Sequence, residues 1–79
     1  MTPVVNAFVP SPSVNPDPVF INPAELEALR LVDLEGFSQE EAGKKMGISR
    51  GTVWRLLQNA RRKVVQAITE GRPLRVMQP

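Results

Sequence analysis

Arg50, Gly51, Trp54, Arg55 and Gln58 recur at steps that place them along one side of a helix. Their chemistry is hydrogen bonding rather than bond making. An arginine fork matches O6 and N7 of guanine, and a glutamine amide matches the N6 and N7 edge of adenine. Gly51 leaves room for a backbone to approach a base edge. These five residues are therefore the expected base readers. Trp54 has three open roles: packing over a domain edge, contact with a thymine methyl, or a dimer seam. Ser49, Thr52, Lys44 and Lys45 are expected at phosphate, where contacts position rather than specify. Arg61, Arg62 and Lys63 fit phosphate contact and also fit a solvated face near a helix C-terminus. The chain has no cysteine and no histidine, so the usual zinc ligands, nucleophiles and acid–base groups are missing. Serine, lysine and carboxylates are present but not arranged as a site. No enzyme, catalytic residue, metal or cofactor is expected.

Two helices at a steep angle must hold these groups. Ala42, Met46, Ile48, Val53 and Leu56 are apolar at the positions where a helix-turn-helix packs its two helices together. Gly43 is small where those helices nearly touch, and Gly47 stands in the tight turn. Ser38 with Glu41 makes a capping box, and Ser49 caps the next helix. The expected helices are 39–46 and 50–70. In such motifs the second helix enters the major groove.

The rest of the chain supports this pair. Asn22 and Pro23 open a first helix over about 23–35, Glu25 completes a box-like cap with Asn22, and Gly36 closes the helix. Its apolar residues do not form one stripe, so it should bury two faces. One faces the motif; the other faces the arm or a second subunit. Val53, Leu57, Ala60, Val64 and Ile68 form the core face of the long helix. Residues 1–21 hold five prolines and one charge, which describes an extended or disordered arm. Phe8 and Val19-Phe20-Ile21 would let that arm dock on a neighbour. Residues 72–79 read as a frayed basic tail; Leu74-Arg75-Val76 also alternates like a strand that would pair with Val19-Phe20-Ile21. The expected fold is all-α: a three-helix helix-turn-helix domain over 22–71, without a wing, carrying a Pro-rich arm.

Charge is divided along the chain. Residues 22–41 carry six acids and one base, while residues 42–79 carry nine bases and one acid. A basic half that includes the proposed reading helix is the footprint of a polyanion binder. No run is apolar enough to span a membrane, and no secretory signal opens the chain, so a cytoplasmic protein is expected. Seventy-nine residues make one small domain with a marginal core, which favours a homodimer.

The stretches Leu26–Leu31, Asp33–Ala42, Met46–Arg50 and Ala60–Val64 resemble an uncharacterised family of small bacterial and archaeal proteins with a predicted DNA-binding domain. More distantly they are similar to region 4 of sigma-70 factors, where such a helix-turn-helix reads a promoter element. The resemblance implies sequence-specific binding of double-stranded DNA and a role in transcription regulation. The alternative is a protein–protein interaction module that uses the same fold to grip the transcription machinery or an RNA–protein complex.

Overall fold

Proline placement decides where this chain pairs as strands. In the computed structural model, which describes residues 6–77, Pro10, Pro12, Pro16 and Pro18 all lie outside the ladders, and Pro18 and Pro73 each directly precede a strand. A proline inside a ladder would lack its amide donor. The proline-free stretches become β1 (Ala7–Phe8), β2 (Val19–Ile21) and β3 (Leu74–Val76).

β3 is the central strand. It runs antiparallel to β1, with Phe8 opposite Leu74, and parallel to β2, with Val19, Phe20 and Ile21 opposite Leu74, Arg75 and Val76. Leu74-Arg75-Val76 thus pairs with Val19-Phe20-Ile21, in which Val19 and Ile21 are buried and Phe20 faces out. This sheet overturns the all-α expectation. The molecule is three helices plus a three-stranded mixed sheet, and residues 74–76 form its middle rather than a frayed tail. The reason is local. Leu74-Arg75-Val76 alternates in hydrophobicity, Val19-Phe20-Ile21 is apolar throughout, and the end of the long helix delivers one beside the other.

That delivery is fastened by hydrogen bonds. The Gly71 carbonyl accepts from the amides of Val14 (3.2 Å) and Asn15 (3.1 Å). The Arg72 guanidinium donates to the carbonyls of Asp17 (2.8 Å) and Pro18 (3.1 Å) and pairs with Glu70 at 3.0 Å. The arm is thus folded against its own chain through Val19 and Ile21 rather than through Phe8, which stays 68% exposed.

The first helix, α1 (Pro23–Leu29), begins with a reciprocal cap. Asn22 Oδ1 accepts from the Glu25 amide (2.8 Å), and the Asn22 amide donates to Glu25 Oε1 (3.0 Å). From Arg30 to Leu34 the helix widens into a π turn, closed by the Glu35 amide on the Arg30 carbonyl at 2.9 Å. Asp33 lies within this widened turn.

Next come α2 (Gln39–Met46) and α3 (Arg50–Glu70). Ala28, Leu31, Ala42, Val53 and Leu57 form the buried core where α1, α2 and α3 meet, with Phe37, Met46, Ile48 and Leu56 packed around it. Burying Val53 and Leu57 fully contributes about 1.5–3 kcal/mol each. At the far end of α3 the core face differs from its expected course. Ala67 is buried, while Ile68 is 75% exposed. There Phe8 of β1 and Leu74 of β3 line a groove with Val64, Ala67 and Ile68, and Ile68 is left on its open side.

Candidate nucleic-acid interface

The joint between α2 and α3 sets the geometry of every candidate residue. Ser38 Oγ accepts from the Glu41 amide (3.1 Å), and the Ser38 amide donates to Glu41 Oε1 (2.9 Å). That hydrogen bond from the Ser38 backbone holds the Glu41 carboxyl below its usual pKa. Gly47 ends α2 at φ 71° and ψ 33°, a left-handed conformation that a side chain would strain. Gly43 serves a different need. A β-carbon there would sit 2.7 Å from the Ile48 carbonyl oxygen, so only glycine allows the turn to close this tightly. The Ile48 amide closes it with a 2.9 Å bond to the Gly43 carbonyl.

α3 then runs 21 residues with Ser49 as its cap, its Oγ accepting from the Thr52 amide at 3.1 Å. Val53, Leu57, Ala60 and Ala67 face inward. The opposite side presents Gly51, Arg55 and Arg62, all exposed, with the partly buried Gln58 between them. Arg50 is exposed at the helix start. Among the described residues, Arg50, Arg55 and Arg62 have no carboxylate partner; Arg55 donates to Thr52 Oγ1 (3.2 Å) and Arg62 to Asn59 Oδ1 (3.3 Å). Trp54 is 52% exposed beside this stripe.

Two cations of the basic cluster are placed elsewhere. Arg61 grips Asp33 through both arms of its fork, at 3.0 Å and 2.7 Å. These hydrogen bonds push the Asp33 carboxyl below its usual pKa and raise the guanidinium further. Lys63 turns to the buried Glu25, Nζ to Oε1 at 2.6 Å, so that one carboxylate both caps α1 and ties it to α3. Sequence reasoning missed this: Glu25 and Asp33 gave no sign of partners 38 and 28 residues away. An acid inside an apolar helix face was the available hint.

On α2, Lys44 and Lys45 are exposed in the last turn. Lys44 lies 3.9 Å from Glu40, an exposed pair of little energetic weight. Lys45 Nζ sits 4.6 Å above the Phe37 ring, a cation–π contact that holds it near the joint. The structure thus groups Ser49, Arg50, Gly51, Thr52, Trp54, Arg55, Gln58 and Arg62 on α3, with Lys44 and Lys45 on the neighbouring helix. Arg61 and Lys63 lie on flanks held by α1. Among the described residues, no group of three or more acids could hold a metal ion, and no helix is long and apolar enough to cross a membrane.

The fold and the site define a small mixed domain in which one exposed helix carries unpaired arginines. The chain belongs to the family described as "Protein of unknown function DUF134", whose model matches residues 1–78. It is similar to a UPF0251 protein of Pyrococcus horikoshii, 56% identical over 78 residues, which is 95% of this chain and 71% of the relative. One from Thermococcus kodakarensis is 54% identical over 78 residues, covering 95% of this chain and 69% of the relative. One from Pyrococcus abyssi is 54% identical over 69 residues, covering 87% of this chain and 63% of the relative. The chain therefore spans about two thirds of the length of these relatives. No solved structure matches it.

Proposed function

We propose that this chain binds double-stranded DNA in a sequence-specific way and acts as a cytoplasmic transcription regulator. In this reading α2 and α3 are a helix-turn-helix, and α3 lies in the major groove. One observation carries it. The cations of α3 are sorted: those on the flanks toward α1 are neutralised by carboxylates, while Arg50, Arg55 and Arg62 are exposed without one. Solvated cations are common on helix surfaces; the pattern gains its weight from lying on the side of α3 that a helix-turn-helix turns toward the groove. Arg50, Gly51, Trp54, Arg55 and Gln58 read bases. Lys44, Lys45, Ser49 and Arg62 contact phosphate. The resemblance to region 4 of sigma-70 factors supports the same orientation. No catalysis is part of this reading.

Selection from a random duplex pool tests it. Enrichment of one motif supports the reading, and a flat pool contradicts it.

The protein–protein alternative has its own observation. Phe8, Val9, Pro10, Val64, Ala67, Ile68, Leu74 and the side of Arg72 line a largely apolar groove of about 300 Å³ at the far end of α3. Phe8, Val9 and Ile68 are each about 70% exposed. Under the DNA reading this groove is where a second copy docks, giving a homodimer that binds paired half-sites. Sedimentation as a monomer at tens of micromolar protein, with and without DNA, would argue against the dimer.

A further inference from the structure

Arg55 is the residue of the exposed stripe best placed to read a base, yet a lone arginine on a helix surface samples many rotamers. Holding it in one geometry on binding costs side-chain entropy. The structure contains a device that lowers this cost. Ser49 Oγ, the cap of α3, accepts from the Thr52 amide at 3.1 Å, which fixes the first turn. The two hydroxyls, Ser49 Oγ and Thr52 Oγ1, share a hydrogen bond of 2.8 Å. Thr52 Oγ1 in turn accepts from Arg55 Nη2 at 3.2 Å. Whichever hydroxyl supplies the proton between them, Thr52 keeps a lone pair for the guanidinium. Thr52 is partly buried and β-branched, so its own χ1 is restricted. The chain Ser49–Thr52–Arg55 therefore runs from a fixed backbone point to the tip of a flexible cation.

We infer that Thr52 is a positioning residue: its hydroxyl pre-sets the Arg55 fork and so sets base preference, rather than adding a phosphate contact of its own. This rests on the DNA-binding reading and deepens it. The two roles have different signatures. A phosphate contact adds affinity for all sequences alike, whereas a positioning contact acts only where Arg55 finds its base.

The test uses the whole chain with two duplexes, one of the sequence that the parent enriches from a random pool and one of scrambled sequence. The reading is the ratio of the two affinities, taken well below each variant's melting midpoint. Thr52→Val keeps the shape and removes the hydroxyl; it should lower the ratio about two- to tenfold while leaving affinity for the scrambled duplex unchanged. Thr52→Ser should restore the ratio. Thr52→Val added to Arg55→Ala should change the ratio no further, because nothing is left to position. An unchanged ratio in Thr52→Val, equal weakening of both duplexes, or the same loss in the Arg55→Ala background overturns the inference and leaves DNA binding standing. A parent chain that enriches no sequence overturns the DNA reading itself, and this inference with it.

Discussion

Arg61 and Arg62 are adjacent in the sequence and opposite in circumstance. Arg61 closes a two-armed ion pair with Asp33 in the π turn that follows α1. Arg62, one residue on, lies about 100° round the helix, where its guanidinium donates to the Asn59 side chain and has no carboxylate partner among the described residues. The next residue, Lys63, turns back to the other flank and the buried Glu25. Three consecutive cations thus divide into two that hold α1 against α3 and one that faces outward. Clusters of basic residues are commonly taken as one electrostatic patch. Here helical periodicity and the carboxylates of a neighbouring helix split the patch into fasteners and a free charge.

Lys63 should show the largest effect on folding. Removing it leaves Glu25 buried with one backbone amide as its remaining donor. Lys63→Ala should lower stability by about 2–3 kcal/mol in denaturant titrations. Its DNA affinity, measured where the variant is folded, should match the parent. A stable variant with weakened DNA binding would place Lys63 at phosphate and erase the division.

Arg55 should show the reverse. Arg55→Ala should lose about 1–3 kcal/mol on the enriched site and much less on random duplex, with an unchanged melting midpoint. Equal loss on both duplexes would mean that α3 does not read bases through this stripe.

Parts of this arrangement were legible in the sequence. Ser38 with Glu41 and Asn22 with Glu25 announced their capping boxes, and both are present as paired hydrogen bonds. These signals are local, so residues three apart suffice to read them. The sheet was half legible. The alternation at Leu74-Arg75-Val76 was visible, but a three-residue strand is stable only where other parts of the chain place its partners. That placement depends on Gly71 and Arg72 gripping residues 14–18, contacts more than fifty residues apart that no periodicity reveals. Ile68 fitted the helical core pattern and is exposed: it lines an open groove beside Phe8 and Leu74 instead of a packed face, which periodicity alone does not reveal. The candidate cations stood out by type, but their sorting required knowing which carboxylates α1 brings alongside.

Arg61 should matter modestly, and through pH. The Arg61 guanidinium holds the Asp33 carboxyl below its usual value. A depressed carboxyl stabilises the fold above the ordinary aspartate pKa of ~4 and stops doing so as pH falls through its lower folded value. The pair is exposed and screened by solvent, so its contribution is at most about 1 kcal/mol. Arg61→Ala should be slightly less stable than the parent at neutral pH, and the gap should close well below pH ~4. Urea midpoints at neutral and strongly acidic pH measure this. A gap that persists in acid would mean that Arg61 stabilises through packing rather than through its pairing with Asp33.

The division itself is tested most directly by the salt dependence of duplex binding in the parent, Arg61→Ala and Arg62→Ala. Lys44, Lys45 and Arg62 are the cations expected at phosphate. The plot of log affinity against log salt for the parent should therefore slope at about −3, near −0.9 for each phosphate contact. Arg62→Ala should flatten that slope by about one, and Arg61→Ala should leave it unchanged. A slope near zero in the parent, or flattening by Arg61→Ala but not by Arg62→Ala, would contradict the account.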